Sequence, residues 1–102
     1  MDMADVLPEF PGGDVAMMKF IQTHVTYPAI ARENYIQGKV YVEFIIHTTG
    51  NLSNFKIVKS VSPELDDEVL RVVKKFPRFK PAMQNGRKVR VRYTVPVTFR
   101  MS

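Results

Sequence analysis

The chain has 102 residues, a net charge of +5 and no cysteine. This length suits one domain with a single hydrophobic core, and the absence of cysteine excludes disulfides and thiolate catalysis. No apolar run approaches the roughly 18 residues of a membrane helix, and no signal peptide is visible. Because the chain starts with MDMA, which resembles an expression start, we expect the native chain to carry further N-terminal sequence.

The first third of the chain predicts two helices. The turn sequence FPGGD, residues 10–14, precedes a helix over residues 15–25, with Asp14 as its N-cap. Pro28 suits the first turn of a second, short helix that extends to about Asn34. The apolar arc of the first helix consists of Met17, Met18, Ile21 and Val25.

The middle of the chain predicts a hairpin and a third helix. Residues 39–47 and 52–60 form two strands joined by the turn TTGN. The helix follows over residues 62–76, with Ser62 and Pro63 at its start and a buried stripe at helical spacing. We assign its early acidic residues to the helix dipole, since consecutive side chains diverge by about 100° and do not converge on one ion; these residues are Asp66, Asp67 and Glu68.

After a proline-rich connector that ends in an Asn-Gly turn, the segment VRYTVPVTF, residues 91–99, predicts the last strand. Apolar and polar residues alternate along it, the pattern of a strand with one buried face. Pro96 has no backbone N–H and leaves one position of the hydrogen-bond ladder empty, a gap that an edge strand tolerates. Because a hairpin followed by a helical crossover lets the last strand lie antiparallel beside the first, the sequence predicts an α+β fold: a three-stranded antiparallel sheet in the order second–first–third, with the helices packed on one face and the last strand at an edge. We assign residues 1–7 to an N-terminal tail and residues 8–102 to the domain.

The sequence predicts no enzyme, no cofactor and no metal site. His24 and His47 stand alone, and we interpret each as a structural or surface histidine. No serine lies in a nucleophile-elbow or Ser-x-x-Lys context, and the glycine pairs lack the spacing of a phosphate loop.

Binding is then the expected role, and nucleic acid is one alternative. The sheet face away from the helices would present Tyr41 and Ile45 beside Arg90, Arg92 and Thr94. A basic face with an aromatic side chain can stack bases, and the local concentration of Lys and Arg at residues 87–92 favours an anionic partner. The face lacks the Gly- and Phe-rich signature of RNA-binding sheets, so a partly solvated face is the simpler interpretation.

Three stretches resemble one known family. They are YPAIARENYIQGKVYVEFIIHTTGNL (27–52), SPELDDEVLRVVKKFPRFKPA (62–82) and NGRKVRVRYTVPVTFR (85–100). In order and spacing they are similar to the C-terminal domain of TonB-type energy transducers. The FPGGD turn with its following helix resembles a branch of that family with an extra N-terminal helix. The resemblance covers about residues 8 to 100.

The resemblance implies a periplasmic domain whose native chain is anchored in the inner membrane by an N-terminal helix absent from this sequence. It implies two partners: a proton-driven motor complex in the inner membrane, reached through that missing region, and the TonB box of outer-membrane TonB-dependent transporters. In the family the box adds as a strand beside the last strand of the domain, and the energy passed on drives nutrient import. The resemblance implies no nucleic acid partner.

The candidate partner-binding residues lie along the last strand. If Pro96 leaves the ladder to the first strand intact, its missing donor faces the open edge, and the backbone groups of alternate residues face outward with it. The predicted docking residues are Arg90, Val91, Arg92, Tyr93, Thr94, Val95 and Pro96. Secondary contacts are predicted at Thr26, Tyr27 and Pro28, although the family's glutamines around Tyr-Pro are replaced here by His24, Val25 and Thr26.

Two further expectations concern the larger assembly. An exposed edge also permits strand exchange between two copies, which would give a homodimer. A scaffold or sensor domain of a larger membrane protein is an alternative role for the same fold, and the sequence that precedes the domain would distinguish it from a transducer.

Overall fold

The computed structural model describes residues 5–101. The elements in chain order are α1 (Asp14–His24), α2 (Ala29–Glu33), β1 (Gly38–Ile46), β2 (Leu52–Lys59), α3 (Pro63–Val73), β3 (Ala82–Gln84), β4 (Arg87–Val89) and β5 (Val91–Phe99). None of the helices in the described residues has the length and apolar character needed to cross a membrane.

The main sheet has three antiparallel strands in the order β2-β1-β5, which confirms the predicted fold. β5 pairs with β1 in one unbroken register, from Gly38 opposite Phe99 to Ile46 opposite Val91. The pairing of β1 with β2 is interrupted by two register shifts. The two outer strands of the sheet therefore differ in regularity.

One face of the sheet forms the hydrophobic core. Every second residue of β1 is fully buried, as period-2 alternation predicts. The helices supply the other half of this core, chiefly through Leu65, Val69 and Val73 of α3. Five of the phenylalanine rings (Phe10, Phe20, Phe44, Phe76 and Phe79) join the core by edge-on or tilted contacts.

The ends of the helices show one confirmed and one wrong prediction. Ser62 caps α3, because its Oγ accepts a hydrogen bond from the N–H of Leu65 at 3.3 Å. Asp14 is not an N-cap: Gly13 holds that position with a φ of 90°, and no side chain caps α1. A left-handed Gly13 lets the preceding turn lead directly into the helix, so Asp14 becomes its first residue. Met18, predicted on the apolar arc, is 45% exposed.

A short hairpin, β3–β4, replaces part of the predicted connector. Asn85 and Gly86 both have positive φ values, 53° and 75°, as a type I′ turn requires. The N-terminal segment extends this hairpin, because Val6 exchanges two backbone hydrogen bonds with Met83, and Glu9 pairs with Lys80. Residues 1–4 and 102, which the predicted tail and domain include, lie outside the described residues, and the division at residue 8 stays a prediction.

Candidate partner-binding edge of the sheet

The candidate site is the outer edge of β5. Within the described residues, β1 is the only strand that pairs with β5, so the opposite edge of β5 has no strand beside it. Six of the seven predicted docking residues lie in β5, and Arg90 lies between β4 and β5. Their arrangement combines a continuous backbone with an unpaired side, which is the geometry that accepts an added strand.

The register of Pro96 predicts which backbone groups face outward. Pro96 stands opposite Tyr41 in the unbroken register. Antiparallel pairs alternate between hydrogen-bonded and non-hydrogen-bonded pairs, and a residue without an N–H can hold only the second kind without losing a bond to β1. By this parity the N–H and C=O groups of Arg92 and Thr94 point away from β1.

The side chains of β5 alternate between the core and the open face of the sheet. Val95 is buried in the core, and Val91 and Tyr93 are half-buried at its margin. Arg92, whose Nε lies 3.9 Å from a carboxylate oxygen of Glu43, and its neighbours at alternate positions are exposed. An added strand would therefore meet an apolar margin on one side and a polar, basic face on the other.

The two outer strands of the sheet offer unequal templates. β2 carries two register shifts, and Asn54 within it has a φ of 57°. Such irregularities twist an edge and leave its donors out of line. β5 has nine residues without any shift, so its outer edge is the regular one.

The Tyr93 ring packs the middle of β5 against the aromatic core of the domain. Its ring centroid lies 5.8 Å from that of Phe44 on β1 and 5.6 Å from that of Phe79 in the connector after α3. Burial raises the pKa of the Tyr93 phenol, and the charge of Asp14 raises it further. The β5 strand is thus held to the domain by aromatic packing on its core side.

The predicted secondary contacts lie at the other end of β5. The ring of Tyr27 packs edge-on against Phe99 at 5.4 Å, and its hydroxyl donates a hydrogen bond to the carbonyl of Ile36. The guanidinium carbon of Arg32 lies 4.8 Å from the same ring. Since Arg92 and Phe99 are seven residues apart along β5, the secondary contacts lie roughly 23 Å from Arg92.

The other two residues of this group differ in exposure. Thr26 is exposed and its N–H is engaged by Glu68, while Pro28 is half-buried at the start of α2. The structure therefore places Tyr27 largely in internal contacts and leaves Thr26 the more accessible side chain.

The acidic residues of α3 have partners that sequence reasoning missed. Glu68 accepts hydrogen bonds from the N–H of Thr26 at 2.7 Å and from Arg71, which itself donates to the carbonyl of His24 at 2.8 Å. The hydrogen bond from Arg71 holds the pKa of Glu68 below its ordinary value of 4.5. Asp66 accepts from the Ser60 hydroxyl and the Val61 N–H. The contacts of Glu68 with Thr26 and of Arg71 with His24 join residues more than 40 positions apart, beyond the reach of local patterns.

Both histidines sit in local contacts. His24 stacks on Phe20 at 3.9 Å, and its Nδ1 lies 2.8 Å from the Phe20 carbonyl oxygen. Nε2 of His47 lies 2.6 Å from the Ser53 hydroxyl. Between residues 5 and 101, no group of three His, Asp or Glu side chains is placed to hold a metal ion.

The chain matches one protein family and is similar to solved protein structures. The matching family is described as "Gram-negative bacterial TonB protein C-terminal", and the match spans residues 23–101. Two NMR structures of the Helicobacter pylori TonB C-terminal domain superpose with TM-scores of 0.63 and 0.62, at 23% and 25% identity. They cover 84% and 90% of this chain, which in turn covers 90% and 87% of theirs.

No curated protein matches the chain. The family match begins at the end of α1, so most of that helix precedes it. The family match extends from residue 23 to residue 101, and the three-stranded sheet agrees with the fold of the matched structures. This chain therefore belongs to the TonB C-terminal domain family.

Proposed function

We propose that β5 receives the TonB box of an outer-membrane TonB-dependent transporter as an added strand, and that the domain passes energy derived from the proton-motive force to that transporter. The observation that carries this proposal is the outer edge of β5, nine residues in unbroken register with no described strand beside it. Strand addition requires such an edge because main-chain hydrogen bonds supply much of its affinity.

Membership of the family supports a periplasmic location and an interaction role for this domain. TonB C-terminal domains are periplasmic interaction and transducer domains without a catalytic role. We further propose that the native chain is anchored in the inner membrane by a helix before this domain. That N-terminal region would contact the proton-driven motor complex, while the domain itself would contact the outer-membrane transporter.

The proposed docking edge has a defined length. Arg92 and Thr94 each contribute an outward N–H and C=O by the parity argument, whereas Pro96 contributes no donor. Each main-chain hydrogen bond contributes about 0.5–1.5 kcal/mol net. The ladder with a partner would therefore be strongest between Arg90 and Thr94 and would weaken at Pro96.

Amide hydrogen exchange tests this proposal without any substitution. In the free domain the N–H groups of Tyr93 and Val95 should exchange slowly, since they bond to β1, while those of Arg92 and Thr94 should exchange quickly. Addition of a TonB-box peptide should slow the exchange of Arg92 and Thr94. If these two amides stay fast in the presence of saturating peptide, strand addition at β5 is wrong.

The structure favours the peptide over the nucleic acid alternative. Base stacking needs exposed aromatic faces. On the open face of β1, β2 and β5, the aromatic side chain is Tyr41, and the ammonium of Lys59 lies 5.5 Å from its ring centroid. That ring is thus already engaged by a cation and offers a poor platform for a base.

A further inference from the structure

The charges of this chain are separated along its length. All ten Asp and Glu residues lie at or before Glu68, whereas ten of the fifteen Lys and Arg residues follow it. The last third of the chain, which forms the β3–β4 hairpin and β5, therefore carries no acidic side chain. This separation is far greater than the local concentration at residues 87–92 suggests.

The fold gathers part of this charge at one end of the docking edge. Arg87 and Lys88 lie on β4, Arg90 joins β4 to β5, and Arg92 is the second residue of β5. All four side chains are exposed. We name these four residues the basic hairpin surface. The other end of β5 is followed by a single cation, Arg100.

The domain itself does little to neutralise this surface. Among residues 5–101, no carboxylate lies within 4.0 Å of Arg87, Lys88 or Arg90. Glu43 approaches Arg92 at 3.9 Å, and the Arg92 side chain is still 71% exposed. Four neighbouring cations repel one another, so an anionic partner would gain from both attraction and relief of that repulsion.

The geometry of strand addition limits where the partner's anions can lie. Side chains of an added strand alternate between the two faces of the sheet. Those on the open face would lie beside Arg92, Thr94 and Pro96, and those on the other face would lie at the margin of Tyr93 and Val95. Only the part of the added strand that lies near Arg92, together with the partner residues that continue past it toward β4, can reach the basic hairpin surface.

We propose that the strand received by β5 carries a cluster of Asp or Glu residues at the end that lies beside Arg90 and Arg92, and that this cluster binds the basic hairpin surface. The inference rests on the proposed strand addition and adds the chemistry of the partner. Toward Pro96 the partner needs no acidic residue, because the cations there are fewer.

The test compares TonB-box peptides that differ only in a short flanking run of glutamates or glutamines, placed at either end. One of the two glutamate peptides should bind the domain about tenfold more tightly than its glutamine counterpart at low salt, given several exposed ion pairs. The difference should shrink at high salt. Arg87→Gln/Lys88→Gln should remove most of it and leave the affinity for the glutamine peptides unchanged.

Lys56→Gln/Lys59→Gln is the matched control, because it removes the same charge from the opposite edge of the same sheet. It should leave the glutamate preference intact. Equal affinity of glutamate and glutamine peptides, with Arg92 and Thr94 amides protected by both, would overturn the acidic partner while strand addition stands. If no peptide protects those amides, both proposals fail. A single-stranded oligonucleotide that binds Arg87 and Lys88 more tightly than any peptide would also overturn the acidic partner.

Discussion

The carboxylate of Glu68 on α3 accepts a hydrogen bond from the backbone N–H of Thr26 at 2.7 Å, between residues 42 positions apart. Arg71 completes the connection, since it binds Glu68 and donates to the carbonyl of His24. Tyr27, which follows Thr26 in the chain, packs on Phe99 at the end of β5. Glu68 and Arg71 therefore hold the segment between α1 and α2 against helix α3, and that segment in turn contacts β5.

Replacing Glu68 should destabilise the domain. Glu68→Ala removes two hydrogen-bond acceptors and leaves Arg71 without its carboxylate, so we expect a loss of about 1 kcal/mol in the free energy of unfolding, a value reduced for partial solvent exposure. Urea denaturation measures it. Asp67→Ala is the control on the same turn of α3, where the side chain is exposed and the change should stay within about 0.5 kcal/mol. Equal losses in both variants would contradict the assigned role of Glu68.

The contribution of Glu68 should depend on pH in one direction. Its pKa in the folded domain is lowered, chiefly by the hydrogen bond from Arg71. A lowered pKa means that the stabilisation is fully present above the ordinary value of 4.5 and is lost as pH falls through the lower folded value. The stability difference between wild type and Glu68→Gln should thus be constant near neutral pH and decrease below about pH 4.5. If the stability difference instead grew as the pH fell, the lowered pKa assigned to Glu68 would be wrong.

Arg92→Pro should abolish binding of a TonB-box peptide while the domain stays folded. The substitution removes an N–H that the register directs outward, so the ladder to β1 loses no donor. Arg92→Gln keeps that N–H and removes only the charge, and we expect it to retain binding with a loss of about threefold. Isothermal titration of both variants, with circular dichroism as the check on folding, separates the backbone from the side chain. Retained affinity in a folded Arg92→Pro variant would refute the edge model.

Two glycines with similar backbone angles should respond very differently to alanine. Gly50 has a φ of 87°, and a Cβ placed there would lie 2.0 Å from the carbonyl oxygen of Phe79. Gly86 has a φ of 75°, and its Cβ would meet nothing within 4 Å. We expect Gly86→Ala to cost about 1 kcal/mol from its left-handed backbone alone, and Gly50→Ala to cost several times more. Thermal or urea unfolding would show the difference, and similar costs would contradict it.

Gly50 also makes a tertiary contact that local sequence patterns do not predict. The TTGN turn was predicted, but its contact with the connector after α3, where the Phe79 N–H donates to the Gly50 carbonyl at 3.0 Å, was not. The β3–β4 hairpin escaped prediction for a related reason. Its strands have three residues each, too short for a periodic signal, and Met83 of β3 also pairs with Val6, far away in sequence.

The sequence by itself determined the strands β1 and β5, helix α3 with its start at Ser62 and Pro63, and the place of β5 at the edge of the sheet. These features depend on alternation, helical spacing, capping and the missing donor of Pro96, all carried by residues that are neighbours along the chain. Only the tertiary structure decided which partners Glu68 and Arg71 bind, that Tyr27 packs on Phe99, and that Glu43 is the described carboxylate that approaches Arg92 of β5. Those relations join residues dozens of positions apart, and no local pattern specifies a contact that exists only once the helices and the sheet have packed together.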